Sequence, residues 1–135
     1  MGASSSPDIS SATSIYGTTV GFALGTTVTT DLLTVSANKL LRITNLLVSK
    51  IHGTNSGDVT LAVDLADADP NGVTDFDVTS GDPWYILKAV TVPPDSTLSV
   101  IDKPIYLRAG DVLEGGANAA SDLQLIVSYE SFDDA

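Results

Sequence analysis

The chain has 135 residues, which suits one domain that buries roughly two-thirds of its unfolded surface and leaves no room for a second core. Seventeen Asp and Glu against six Lys and Arg give a formal net charge of −11, which repels phosphate backbones and anionic lipid, so neither nucleic acid nor membrane is an expected partner. There is no Cys and only one His, His52, so the composition excludes disulfides and thiolate metal sites and offers no Ser-His-Asp set.

Hydrophobic residues make up 43% of the chain, although no apolar run approaches the roughly 18 residues of a membrane span. One small core does not use all of this apolar surface. The remainder favours assembly with other protein surfaces.

The N-terminal segment, residues 1–15, is rich in serine and nearly free of large apolar side chains. Such a segment cannot bury enough surface to order itself, so we predict a flexible or partner-bound arm. The rest of the chain, residues 16–135, is predicted to form one domain. Within the arm, the residues expected to contact a partner are Ser4, Ser5, Ser6, Pro7 and Ile9.

Beyond the arm, apolar residues recur with a period of two, which is typical of strands. Val59, Leu61 and Val63 alternate with polar or small residues, and Leu123 and Leu125 begin a second such run. The pattern predicts strands at 18–30, 32–36, 39–51, 59–65, 84–92, 97–101, 105–107, 112–117 and 123–129.

One of these segments, 39–51, changes phase. Leu41 and Ile43 alternate normally, but Leu46 and Leu47 then double the apolar residues. A β-bulge near Asn45, or burial on both faces of the strand there, explains the shift.

Turn sequences separate the predicted strands, among them Asn55–Asp58, Pro93–Asp95 and Ala109–Asp111. Eight or so short strands at this spacing, almost without helix signals, predict an all-β fold. We expect an antiparallel β-sandwich with jelly-roll or Greek-key wiring.

A weak calcium signal lies at Asp67, Asp69, Asn71, Gly72 and Asp75, which match an EF-hand loop at positions one, three, five, six and nine. The twelfth position is Val78 where a bidentate Glu is needed, and Pro70 stiffens the loop. A solvated acidic loop is therefore the favoured interpretation. No metal or other cofactor is expected.

No catalytic set stands out, so an enzyme is not expected. Glu114, beside two glycines, is the one carboxylate that merits inspection, and solvation of a strand edge is its favoured role. Trp84 and Tyr85 are candidates for covering a partner or stacking on a sugar. Core packing at the start of a strand is the interpretation that the pattern favours for them.

The segment from Trp84 to Phe132 reads WYILKAVTVPPDSTLSVIDKPIYLRAGDVLEGGANAASDLQLIVSYESF. It resembles small structural proteins of tailed-bacteriophage particles, especially those of marine and cyanobacterial phages. Looser similarity extends to RITNLLVSKIHGTNSGDVTLAV in the N-terminal half. The matching C-terminal positions are Val92, Pro93, Pro94, Ser96, Leu98, Ile105, Tyr106, Leu107, Gly110, Asp111, Ser128, Tyr129 and Glu130.

This resemblance implies a β-sandwich component of the virion, with a capsid decoration or cement protein as the best fit to the size. It implies the major capsid protein or other virion subunits as partners, a homotrimer at three-fold positions and a location on the capsid surface. The family has no catalytic residues to transfer.

Two alternatives stay open. In the first, the chain is a neck, tail or fibre component of the particle. In the second, it is a carbohydrate- or receptor-binding β-sandwich module that uses Trp84 and Tyr85.

Overall fold

The computed structural model describes residues 12–51, 53–66 and 83–134, which form two antiparallel sheets packed face to face. Strand is the only regular element among these residues, as the period-two pattern predicts. In chain order the strands are β1 (Ala12–Ala23), β2 (Asp31–Thr34), β3 (Lys39–Lys50), β4 (Gly57–Asp64), β5 (Pro83–Val92), β6 (Thr97–Ser99), β7 (Ile105–Arg108), β8 (Val112–Ala117) and β9 (Leu123–Asp134).

The strand order is that of a jelly roll. One sheet has the order β1-β9-β3, and β6 and β7 pair in turn with the remaining side of β3. The other sheet has the order β2-β8-β4-β5. If β6 and β7 are counted as one interrupted strand, each sheet has four positions, and the chain passes repeatedly from sheet to sheet. The predicted all-β antiparallel sandwich is confirmed.

The core lies between the sheets and is built by the residues that the alternation predicts. Leu123, Leu125 and Val127 of β9 are fully buried, and Val59 and Leu61 of β4 are fully buried in the opposite sheet. Burying a side chain of this size stabilises the fold by about 1.5–3 kcal/mol. In β4, Thr60 and Ala62 on the other face are buried as well, so this strand is covered on both sides.

The predicted bulge in β3 is confirmed. Ile43 pairs with Tyr129 of β9, whereas Asn45 pairs with Ser128, so Thr44 is an extra residue in β3. Because of this insertion, Leu41 and Ile43 before it and Leu46 and Val48 after it all face the core, despite their change of phase. Lys50 continues the second phase; it is also buried, and its Nζ lies 2.8 Å from Oδ1 of Asp122.

The first strand begins earlier and ends earlier than its pattern predicts. β1 starts at Ala12, so residues 12–15 of the predicted arm pair with β9. Residues 24–30 are a loop and not the end of a strand. Its carbonyls bond to β8, because the Ala117 N–H donates to Gly25 O at 2.8 Å and the Gly115 N–H donates to Thr30 O at 3.1 Å. Residues 1–11, which include Ser4, Ser5, Ser6, Pro7 and Ile9, lie outside the described part of the chain.

The turn between β7 and β8 is held by a buried carboxylate. Asp111 is 1% exposed, and its two oxygens accept the N–H groups of Ala66 and Arg108, each at 2.8 Å. Gly110 takes a left-handed φ of 91°, which glycine adopts without strain. Asp111 thus joins this turn to the end of β4.

Candidate functional site

Trp84 and Tyr85 lie at the start of β5, an edge strand of the four-stranded sheet. Each is 48% exposed, so the core packing that the sequence favoured for them is wrong. The prediction fails because β5 stands at the edge of its sheet, where only one neighbouring strand covers it. Both rings are therefore available to a partner.

The two aromatic rings do not form one platform. Trp84 pairs with Val63, whose side chain faces the core, and Tyr85 pairs with Ala62, which faces away from it. Residues paired across antiparallel strands point to the same face, and consecutive residues to opposite faces. Trp84 and Tyr85 therefore lie on opposite faces of β5.

Two bulges break the regular pairing of β5 with β4. The register shifts between Leu61 and Ala62 and again between Val59 and Leu61, which leaves additional residues in β5. Ala89, at the second shift, has a positive φ of 50°, and its N–H donates to Thr60 Oγ1 at 3.1 Å. The irregular backbone makes β5 a poor template for a further strand.

Lys88 lies next to Tyr85 on this strand. Its Nζ is 4.9 Å from the centroid of the Tyr85 ring, within the range of a cation–π contact. Such a contact at an exposed site contributes about 0.5–1 kcal/mol. It holds the ring of Tyr85 in place beside the edge of β5.

Glu114 does not solvate a sheet edge, contrary to the favoured prediction. It lies in β8, which is paired with β2 on one side and β4 on the other, and it is 7% exposed. Burial, and after it the charges of Asp64 and Asp31, raise the pKa of the Glu114 carboxyl above its usual value. The position of Glu114 in the sheet therefore favours its neutral form more than water does.

A second apolar surface lies on the outer face of the five-stranded sheet, the face that points away from the core. Ile15 of β1, Ile126 of β9 and Tyr106 of β7 are among the exposed large hydrophobic residues there. One ion pair crosses this outer face between β3 and β9, with Arg42 Nη1 3.1 Å from Glu130 Oε1. Lys39 and Asp133 form a second ion pair between the same strands, but they lie in the phase of Leu41 and Ile43, on the opposite face of the sheet.

The sequence pattern does not identify Ile15, Ile126 and Tyr106 as parts of one exposed surface. The alternation shows that a residue lies opposite the core phase, but not whether another segment covers it. Ile126 and the neighbouring Leu47 carried the only signal, since both are apolar residues at positions paired on the outer face. Apolar residues in the solvent phase of two adjacent strands would have indicated this surface.

The same sheet carries a shallow cavity of about 240 Å³ over the end of β1 and the start of β9. Its walls include Gly21 and Ala23 of β1 and Gln124 and Ile126 of β9. The small side chains of β1 create the depression. None of the residues that line it has a titratable side chain.

The candidate calcium loop, with Asp67, Asp69, Asn71 and Asp75, lies outside the described residues, and so does His52.

Comparison with protein-family models, curated proteins and solved structures finds no match to this chain. In the described ranges, no group of three or more His, Cys, Asp or Glu is arranged to hold a metal ion. The same residues contain no helix long and apolar enough to cross a membrane.

Proposed function

We propose that this chain is a structural protein of a tailed-bacteriophage particle, a decoration or cement protein that binds the assembled capsid and stabilises it. One observation carries the proposal: outside the buried core, large hydrophobic side chains remain exposed at several places on the sandwich. Among the described residues these are Ile15, Tyr16, Val28, Ile51, Trp84, Tyr85, Tyr106 and Ile126.

Exposed aromatic and aliphatic groups distributed in this way suit flat contacts with neighbouring proteins. Tyr and Trp are enriched in such contacts because they bury much area with few rotatable bonds. The major capsid protein, or another virion subunit, is the proposed partner. A cement protein binds the assembled shell better than the free subunit, so each bound copy stabilises the assembled state by mass action.

The resemblance to phage proteins supports the proposal at the level of the fold. Pro94 lies in the turn that leaves β5, Tyr106 in β7, Gly110 and Asp111 in the turn before β8, and Tyr129 in the middle of β9. These five matching positions lie in strands or turns of the sandwich, and Asp111 is the buried carboxylate that holds its turn.

Particle reconstitution tests the proposal. Virions lacking this protein are incubated with the purified chain, and bound copies and the temperature of capsid rupture are measured. We expect saturable binding to capsids, a copy number comparable to that of the shell subunit, and a higher rupture temperature. A copy number far below that of the shell subunit would instead favour a neck, tail or fibre position.

The contribution of the predicted arm is tested by deletion in the same assay. Because residues 12–15 belong to β1, the deletion ends at residue 11 and leaves the strand intact. We expect lower occupancy on the capsid with unchanged thermal stability of the free protein. Undiminished occupancy would show that the arm is not an anchor.

Exposure of Trp84 favours a second candidate, a carbohydrate- or receptor-binding module. Trp84 and Tyr85 point to opposite faces, so a sugar stacked on Trp84 does not contact Tyr85 through the same surface. Glycan binding that is lost in Trp84→Ala and kept in Tyr85→Ala would support this candidate. Equal binding by both variants, or no binding by the native chain, would leave it without support.

A further inference from the structure

The free side of β1 is the least protected edge in the described part of the sandwich. β1 pairs with β9 on one side and with no described residue on the other. It is 12 residues long, contains no charged residue and no proline, and keeps a regular register with β9 from Ser14 to Ala23. A long, regular, uncharged edge is a template for an additional strand.

The other edges differ from β1 in ways that oppose strand addition. β5 has two register shifts and carries Lys88, β2 has four residues and begins with Asp31, and β6 and β7 have three and four residues. Charge, bulges and short length are the usual protections of sheet edges. Among the described edges, β1 has none of them over most of its length.

Both faces of the β1 edge expose apolar side chains. Ile15 is 59% exposed and Tyr16 is 57% exposed, the two highest values among the exposed large hydrophobic residues. As consecutive residues of one strand, they point to opposite faces of the sheet. A protein that docks on one face covers only one of them, whereas a strand added beside β1 covers both.

We propose that β1 pairs antiparallel with β1 of a second copy of this chain across a two-fold axis, which joins two five-stranded sheets into one. The backbone geometry permits it. The Leu24 N–H donates to Leu123 O at 3.0 Å, and in an antiparallel ladder alternate residues point to the same neighbour. Even-numbered residues of β1, such as Thr18 and Val20, therefore direct their backbone N–H and C=O groups to β9, as Leu24 does. The odd-numbered residues Gly17, Thr19 and Gly21 direct theirs to the free side.

A register centred on Thr18 brings complementary residues together. Gly17 of one copy then lies opposite Thr19 of the other, and these residues exchange backbone hydrogen bonds through their free groups. On the core side Tyr16 meets Val20 of the second copy, and on the outer side Ile15 meets Gly21. Pairs of aromatic with β-branched residues are favourable across strands, and Gly21 leaves room for Ile15.

The charged residues near β1 permit a second copy at this edge, although each chain has a net charge of −11. β1 itself has no charged residue, and two carboxylates of the adjacent β9 have cationic partners in the same chain. Glu130 pairs with Arg42, and Asp133 pairs with Lys39. Copies that meet at β1 therefore do not bring Glu130 and Asp133 together as unpaired carboxylates.

This pairing is a property beyond the proposed capsid function. It stops at two copies, because each β1 has only one free side. A trimer at a three-fold position would have to use other surfaces. Sedimentation velocity of the full chain over a concentration series measures the association. We expect the mass of two chains at high concentration and of one chain on dilution.

Thr19→Pro removes an N–H on the free side without removing a bond to β9, and it is expected to weaken association at least tenfold. Thr19→Val is the matched control: it keeps the N–H and the size, and loses only the hydroxyl contact with Ser128 Oγ, so it should remain a dimer. Hydrogen exchange gives a second measurement on the native chain. Amides of Gly17, Thr19 and Gly21 should be protected only at high concentration, whereas those of Thr18 and Val20 should be protected throughout.

The proposal would be overturned by a native chain that is monomeric or trimeric at all concentrations, or by a dimer whose Gly17, Thr19 and Gly21 amides exchange rapidly. A dimer that Thr19→Pro leaves intact would also overturn it. None of these results depends on binding to a capsid, so this proposal and the capsid function fail or succeed separately.

Discussion

Glu114 shows how a single buried charge opposes folding. Its pKa is raised from an ordinary value of 4.5, first by burial and then by Asp64 and Asp31. Between pH 4.5 and the raised pKa the folded chain binds more protons than the unfolded chain, so the free energy of unfolding falls as the pH rises through this window. Above it, the folded chain carries the full penalty of a charged Glu114.

We therefore expect Glu114→Gln to unfold at a higher temperature than the native chain at about pH 7, because Gln has nearly the same shape and no charge. Melting curves over a pH series measure the difference between the two proteins. It should disappear at pH values well below 4.5, where Glu114 is protonated in both states. A gain that is the same at acidic and neutral pH would exclude the electrostatic explanation.

Asp111 is also buried, but it stabilises the fold, because hydrogen bonds to both carboxylate oxygens compensate for the loss of water. Its carboxylate accepts two backbone N–H groups, and Asp111→Ala leaves both without that acceptor. We expect the free energy of unfolding to fall by about 2–4 kcal/mol, measured by urea denaturation. Asp102→Ala, an exposed turn residue, is the control and should change it by less than about 0.5 kcal/mol. Equal losses in both variants would contradict the structural role of Asp111.

At the scale of the element, β3 shows which irregularities a sequence reveals. Its bulge is visible because core residues lie on both sides of it, and the apolar phase changes between Ile43 and Leu46. The bulges of β5 leave no such trace. Trp84, Tyr85 and Ile86 are all apolar or aromatic, so a shift in register among them does not alter the pattern. The sequence pattern does not indicate the exposure of Trp84 either, because the position of β5 at a sheet edge depends on the order of the strands in the sheet.

The bulge in β3 predicts that this strand cannot lose a residue without loss of stability. Deleting Thr44 removes the extra residue, so either Leu41 and Ile43 or Leu46 and Val48 must turn away from the core. We expect a loss of more than about 3 kcal/mol in the free energy of unfolding, measured by chemical denaturation. Thr44→Ala keeps the residue count and loses only the hydroxyl bond to Ser128 O, so it should be close to native. A stable deletion variant would mean that β3 tolerates the other register.

At the scale of the whole molecule, period-two patterning and turn residues were enough to predict the sandwich, because one face of each strand packs against the core with buried or partly buried apolar residues. The candidate surfaces were harder to predict. The sequence places Ile15 in the predicted arm, since the residues just before it are serine, threonine and alanine, and only its pairing opposite Phe132 reveals a strand there. Edges and outer faces are properties of the assembled sheets, which the local pattern does not contain.

The net charge of −11 and the neutral β1 edge together predict how salt acts on self-association. Two acidic copies repel each other at long range, whereas hydrogen bonds and apolar contacts along β1 do not depend on charge. Salt shortens the screening length from about 14 Å at 0.05 M to about 4 Å at 0.5 M, so it should reduce the repulsion and leave the pairing intact. We expect the dimer dissociation constant to fall across this range, measured by sedimentation at constant pH. A constant that rises with salt would mean that ion pairs between copies, rather than the backbone of β1, hold the dimer together.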